Sequence, residues 1–127
     1  MRLEGLEQKL ITVIKGYIKE VYAALQDKPH PVILCYDDYQ FKTTLNVRDS
    51  RKSSVKSAYT IPINTLYFRN KPTELALSHE LEHWAQAQTL GPDVYIEQLQ
   101  EERTFQEFEK SAEDVAFTYA HKLTGKY

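Results

Sequence analysis

The chain has 127 residues, 42% of them hydrophobic, with a net charge of −2 and one cysteine. That suits one globular domain, residues 1–127, around one core; the charge gives no electrostatic argument for nucleic acid as a partner, and no apolar run approaches the ~18 residues that span a membrane. An amphipathic, acid-bearing N-terminus argues against a secretory signal and a lone Cys against a disulfide framework, so a cytoplasmic location is expected.

Leu3, Leu6, Leu10, Ile14, Tyr17, Ile18, Val21 and Leu25 recur at helical spacing and predict one long amphipathic helix ending before Pro29. Its polar face mixes acids with lysines, so the apolar stripe reads as core contact rather than a membrane face. Residues 31–37, 41–48 and 58–69 are rich in Tyr, Ile, Val and Thr and predict three strands. Cys35, inside Val32-Ile33-Leu34-Cys35-Tyr36, reads as a buried strand residue rather than a nucleophile. Arg48, Arg51, Lys52 and Lys56 form a basic, Ser-rich loop between the last two strands. It reads as a solvated tip, with contact to an acidic partner or nucleic acid as the alternative.

The next helix carries the most informative motif. Thr73 is its expected N-cap with Glu74 in the first turn, and Leu90-Gly91-Pro92 its expected stop. Within it lies His79-Glu80-Leu81-Glu82-His83. Residues four apart share a helix face, so the two imidazoles can supply two ligands to one zinc ion at roughly 2.0–2.1 Å. Glu80 then sits beside the metal, placed to take a proton from a water bound there.

A catalytic zinc usually takes three protein ligands and keeps one position for water. The single Cys excludes a Cys-rich site, and His30 falls between two prolines. The acid-rich C-terminal third is the remaining source. Thr104-Phe105-Gln106-Glu107 reads as a capping box that starts a helix near Phe105. Phe105, Glu109, Ala112, Glu113, Ala116 and Ala120 then share one face, where carboxylates are costly to bury without a partner. Glu109 is the expected third ligand and Glu113 the group that steadies a ligand His; Glu102 and Glu113 are the rival ligands. Tyr95, Tyr119 and His121 are the candidates to stabilise an oxyanion.

A His-Glu-x-x-His pair followed by a Glu on a later helix resembles the gluzincin metallopeptidases, above all the ImmA/IrrE-type domains and the minigluzincins. Glu109-Lys110-Ser111-Ala112-Glu113-Asp114-Val115-Ala116 is similar to the Glu-x-x-Ala-Asn-x-Phe-Ala pattern of the former at Glu109, Ala112 and Ala116. Ile61-Pro62-Ile63-Asn64 ahead of Leu77-Ser78-His79-Glu80-Leu81 is similar to its strand-then-helix junction. Glu82 stands where a small residue is usual, and Glu113 where Asn is. The resemblance, over residues 58–121, implies a minimal zincin-like α+β domain. In it the first helix backs a three-stranded sheet, and the active-site and glutamate helices cross the other face. It further implies that the third strand, around Thr60–Phe68, is the edge that pairs with extended substrate.

The combined expectation is an endopeptidase with one zinc per chain held by His79, His83 and Glu109, with Glu80 as general base, acting on a protein or peptide. The competing expectation is a metal-binding interaction module of phage or mobile-element type.

Overall fold

A computed structural model describes residues 1–45, 56–61 and 63–127. Helix α1 (Glu4–Val21) is followed by a 3-10 turn (Ala23–Leu25), strand β1 (Val32–Tyr36) and helix α2 (Asp38–Thr44). Strands β2 (Ser57–Thr60) and β3 (Thr65–Arg69) come next, then helices α3 (Glu74–Leu90), α4 (Pro92–Leu99) and α5 (Glu102–Tyr119), and a last 3-10 turn (Ala120–Leu123). The class is α+β, with a mixed three-stranded sheet in the order β1-β3-β2. β3 runs parallel to β1 and antiparallel to β2.

The sheet is built from segments other than those expected. Residues 38–44 are helical: Asp37 accepts a hydrogen bond from the Gln40 amide and starts α2, which buries Phe41. An Asp three residues before a Gln is a helix-start signature, and it outweighs the β-branched threonines that suggested a strand. The remainder of that expected strand, 46–48, lies outside the described residues, as do Arg48, Arg51, Lys52 and Pro62. The expected strand at 58–69 is two strands. A turn interrupts it, with Asn64 at a φ of 49°, a left-handed conformation that Asn tolerates better than most residues. Asn64 also ties this turn to the 29–32 segment: its carbonyl accepts from Val32 N–H and its side-chain amide donates to the carbonyls of Pro29 and His30.

Ile33, Cys35, Leu66 and Phe68 are buried on one face of the sheet. They join Leu10, Ile14, Tyr17 and Ile18 of α1 with Leu77, Leu81, Trp84 and Ala85 of α3 in one core. Tyr17 and Ser78 share a hydrogen bond directly between the two helices, 2.6 Å long. So α1 and α3 cover the same face rather than opposite faces. The reason is in the strands: only alternate residues of β1 and β3 are fully apolar and buried, while Val32 on the other face is 53% exposed, so one face alone has the apolar area to hold both helices.

The N-terminus covers the outer edge of β1. Leu3 N–H donates to the Cys35 carbonyl and Arg2 bridges Tyr36. Buried Glu7 accepts from the Cys35 amide and from the Arg2 guanidinium. Among the described residues no strand pairs with the outer edge of β2. Among the described residues the unpaired edge is therefore that of β2, and β3, within the segment expected there, is central. No described helix is long and apolar enough to cross a membrane.

Candidate metal centre

Thr73 caps α3 as expected, its hydroxyl accepting from the Ala76 amide, and the helix runs unbroken past both histidines. Leu77, Leu81 and Trp84 are fully buried on its core side, which fixes its rotation and turns His79 and His83 toward α5. Helix α5 begins at Glu102, and Thr104 donates to the Glu101 carboxylate instead of capping a later start. Ala112 and Ala116 are buried where α5 meets α3; their small side chains let the two helices approach closely. Two hydrogen bonds across this interface fix the height of α5. Gln86 donates to the Phe108 carbonyl at 3.0 Å, and Ser111 donates to the Glu82 carboxylate at 2.9 Å. Glu109 lies between these anchor points in sequence.

Three donors converge there. The Nε2 atoms of His79 and His83 are 3.2 Å apart. His79 Nε2 lies 3.4 Å from Glu109 Oε2, and His83 Nε2 lies 3.0 Å from Glu109 Oε1. Ligands at 2.0–2.1 Å from a tetrahedral ion stand roughly 3.3–3.4 Å from one another, so these separations are close to the edges of such a site. The cluster could hold a metal ion, with one ligand atom of each residue within 4.8 Å of the others.

The hydrogen bonding of His83 makes the case chemical as well as geometric. Gln86 spends its amide N–H on the Phe108 carbonyl, so its Oε1 faces His83 Nδ1 at 3.0 Å. That contact calls for an N–H on Nδ1, which leaves the Nε2 lone pair of the neutral ring pointing at a carboxylate oxygen. Two acceptors at 3.0 Å repel unless a proton or a metal ion lies between them, and either would meet that need.

Glu80 is not part of the donor set. Its side chain, 6% exposed, accepts a 2.7 Å hydrogen bond from the Ser57 hydroxyl of β2. Burial pushes its carboxyl above the ordinary range; the neighbouring His83 and His79 and the Ser57 hydrogen bond oppose the rise. Glu80, His79, His83, Glu109, Glu113 and Tyr95 all line one open cleft of about 1130 Å³. Its other walls are β2, the start of α3, Leu99 and the outer face of α5.

The other residues expected at the site fall in different places. Glu113 is exposed on the cleft wall, one turn beyond Glu109; the side chain hydrogen-bonded to His83 is Gln86 instead. Glu102 is exposed at the start of α5 and hydrogen-bonds Gln106. Tyr95 is buried, stacks on Phe108, and has its hydroxyl 3.5 Å from His83 Nδ1. Tyr119 and His121 do not line the cleft. His30 packs edge-on against Trp84, its Nε2 3.0 Å from the Gln26 carbonyl. Burial pushes the Cys35 thiol up to about 12, which makes it a poor nucleophile at neutral pH.

Gln86, Ser57 and Ser111 were not singled out in the sequence, and neither was the use made of Glu82. Its carboxylate accepts from Tyr22 at 2.8 Å and from Ser111, which links α1, α3 and α5. Gln86 and Glu82 did carry a signal: each is one helical step from a ligand histidine, at a spacing that places polar groups against the ligand face. Comparison with protein-family models, with curated proteins and with solved structures finds no match.

Proposed function

We propose that the chain is a zinc-dependent endopeptidase of gluzincin-like type, with His79, His83 and Glu109 as the ligands. The donor set supports zinc: two imidazoles and one carboxylate, with one ligand position left over, is a common catalytic arrangement for this ion. Zinc bound there would lower the pKa of a coordinated water toward ~7 and polarise a substrate carbonyl.

The observation that carries the reading is Glu80. A buried carboxylate beside a three-donor site, aimed into the same cleft and held by a serine rather than by the donors, serves no purpose in a purely structural metal site. As general base, Glu80 takes the proton of the attacking water and passes it to the leaving amine. Ser57 fixes the orientation of the carboxylate for both transfers. Burial, by raising its proton affinity, suits it to carry the proton between the two. Tyr95, alone among the three residues expected to stabilise an oxyanion, has a place on the cleft wall. The edge of β2, unpaired among the described residues, offers backbone groups beside Glu80, which would pair with an extended peptide laid along the cleft.

Glu80→Gln is nearly isosteric and leaves the donor set intact. The variant should bind as much zinc as the wild type, about one ion per chain by metal analysis. Its hydrolysis of protein substrates should fall on the order of 10²–10⁴-fold. Equal cleavage by both proteins would remove Glu80 from the chemistry. A zinc-loaded wild type that cleaves nothing across a broad mixture of denatured proteins would make the chain a metal-binding interaction module instead.

A further inference from the structure

The cleft with the three donors continues into a second groove of about 450 Å³, whose walls include Asp38, Lys56, Arg69, Asn70, Lys71 and Ala76. Lys56 and Ala76 belong to the walls of both. The charges along this path are opposite at its two ends. The cleft holds Glu80, Glu109 and Glu113, which a divalent ion would offset. In the groove, Asp38 is held by Arg69 at 2.8 Å and by Asn70. Lys56 and Lys71 are exposed, the Lys71 ammonium 5.4 Å from the centre of the Tyr127 ring, and the positive end of the α3 dipole lies in the first turn together with Glu74.

Between the two ends the walls are apolar and wet: Leu75 is 47% exposed and Phe117 79%. Single exposed apolar residues are ordinary, but these two line the same cleft as the metal donors. From His79 back to Thr73 is less than two turns of α3, roughly 9 Å, a distance an extended peptide covers in about three residues.

We propose that the cleft takes a polypeptide segment with a large apolar side chain beside the bond to be cut and an Asp or Glu about three residues further along, received by Lys56 and Lys71. This rests on the hydrolytic reading of the same site and specifies its substrate. Leu75 and Phe117 cover the apolar side chain. The two lysines supply the charge that selects one flank over another, a task for which exposed pairs suffice because discrimination needs only a difference between sequences.

Binding and cleavage are measured separately. Zinc-loaded Glu80→Gln protein is titrated by fluorescence anisotropy with synthetic peptides that carry a central Leu-Phe pair and an Asp/Glu, Ala or Lys flank, placed on either side of the pair. The acidic flank on one side should bind roughly tenfold or more tighter than the lysine flank. That preference should shrink with added salt and vanish or invert in Lys56→Glu/Lys71→Glu; because Lys71 Nζ stands 5.4 Å from the centre of the Tyr127 ring, the double variant is first checked for a wild-type circular dichroism spectrum and melting curve. Equal binding of all flanks, no binding of any peptide, or a preference that survives the charge reversal overturns the proposal. Wild-type cleavage sites in a denatured protein mixture form the second arm. Cuts with no acidic bias at that distance overturn the groove while leaving hydrolysis intact. Flank preference without any cutting supports the groove and removes the hydrolytic reading.

Discussion

His83 is useful as a ligand only if its Nε2 carries a lone pair, and the residue that ensures this is Gln86. Its amide is oriented by the Phe108 carbonyl, so its oxygen is committed to His83 Nδ1. The same side chain thus sets the ring's tautomer and ties α3 to α5 beside Glu109. Replacing it with Leu keeps the bulk and removes both functions. Zinc affinity in Gln86→Leu should fall about 10–100-fold, the usual effect of losing a group that orients a ligand. Glu113→Gln, on the exposed wall, should change it little. Competition with a chelator of known affinity measures both, and a larger loss in Glu113→Gln would return that residue to the metal. Glu109 and Glu113 could not be separated firmly by sequence, since both sit on one face of α5. What decides between them is the height of α5 against α3, which long-range hydrogen bonds from Gln86 and Ser111 establish.

At the scale of elements, α3 was legible because local signals at both ends agree with its interior: a Thr cap, a long uninterrupted run, then Gly and Pro. The same Gly-Pro pair concealed α4. Pro92 was read as a stop for α3, yet it is also the first residue of α4, where its missing N–H costs nothing. Gly91 serves both helices with φ 90° and ψ 149°, backbone angles that are essentially glycine's alone. Gly91→Ala should therefore cost on the order of 1–3 kcal/mol, even though nothing lies within 4 Å of the added Cβ. Gly16, inside α1 and equally open, should give the opposite sign: Gly16→Ala should stabilise by roughly 0.5–1 kcal/mol. Urea unfolding of the two variants tests the pair, and destabilisation at both positions would deny that backbone conformation is what separates them. The strands were less legible. β2 and β3 read as one run because their turn is short and carries apolar Ile61 and Ile63, and α2 was hidden by threonines. Which face the helices share is a tertiary choice, visible only once pairing puts Ile33, Cys35, Leu66 and Phe68 side by side.

For the molecule as a whole, α3 has two sides with different roles: one is the centre of the core, and the other carries His79 and His83, which with Glu109 could hold a metal ion. The core side has the larger apolar area, with Leu77, Leu81 and Trp84 wholly buried, and it needs no metal to pack. The opposite side meets α5 through alanines and a few hydrogen bonds, so α5 depends most on what bridges the two helices. A zinc ion held by His79, His83 and Glu109 would be such a bridge. Because the donors already converge and the core is independent of them, the metal-free chain should stay folded, unlike small domains whose metal is their core. Binding to the folded state alone stabilises by RT ln(1 + [L]/Kd), about 2.7 kcal/mol at free zinc 100-fold above Kd. For a domain of this size that corresponds to a Tm change on the order of 10 °C. Chelation should therefore lower Tm by that order while far-ultraviolet circular dichroism at low temperature is retained. In His83→Ala the chelator should have little effect. Amide exchange should locate the loss, with protection in α5 falling more than in α1 or the sheet, since the three donors lie on α3 and α5 and on neither of those. Full unfolding on chelation would mean that the metal organises the core itself. An unchanged Tm in zinc-loaded wild type would mean that the three donors do not hold the ion together.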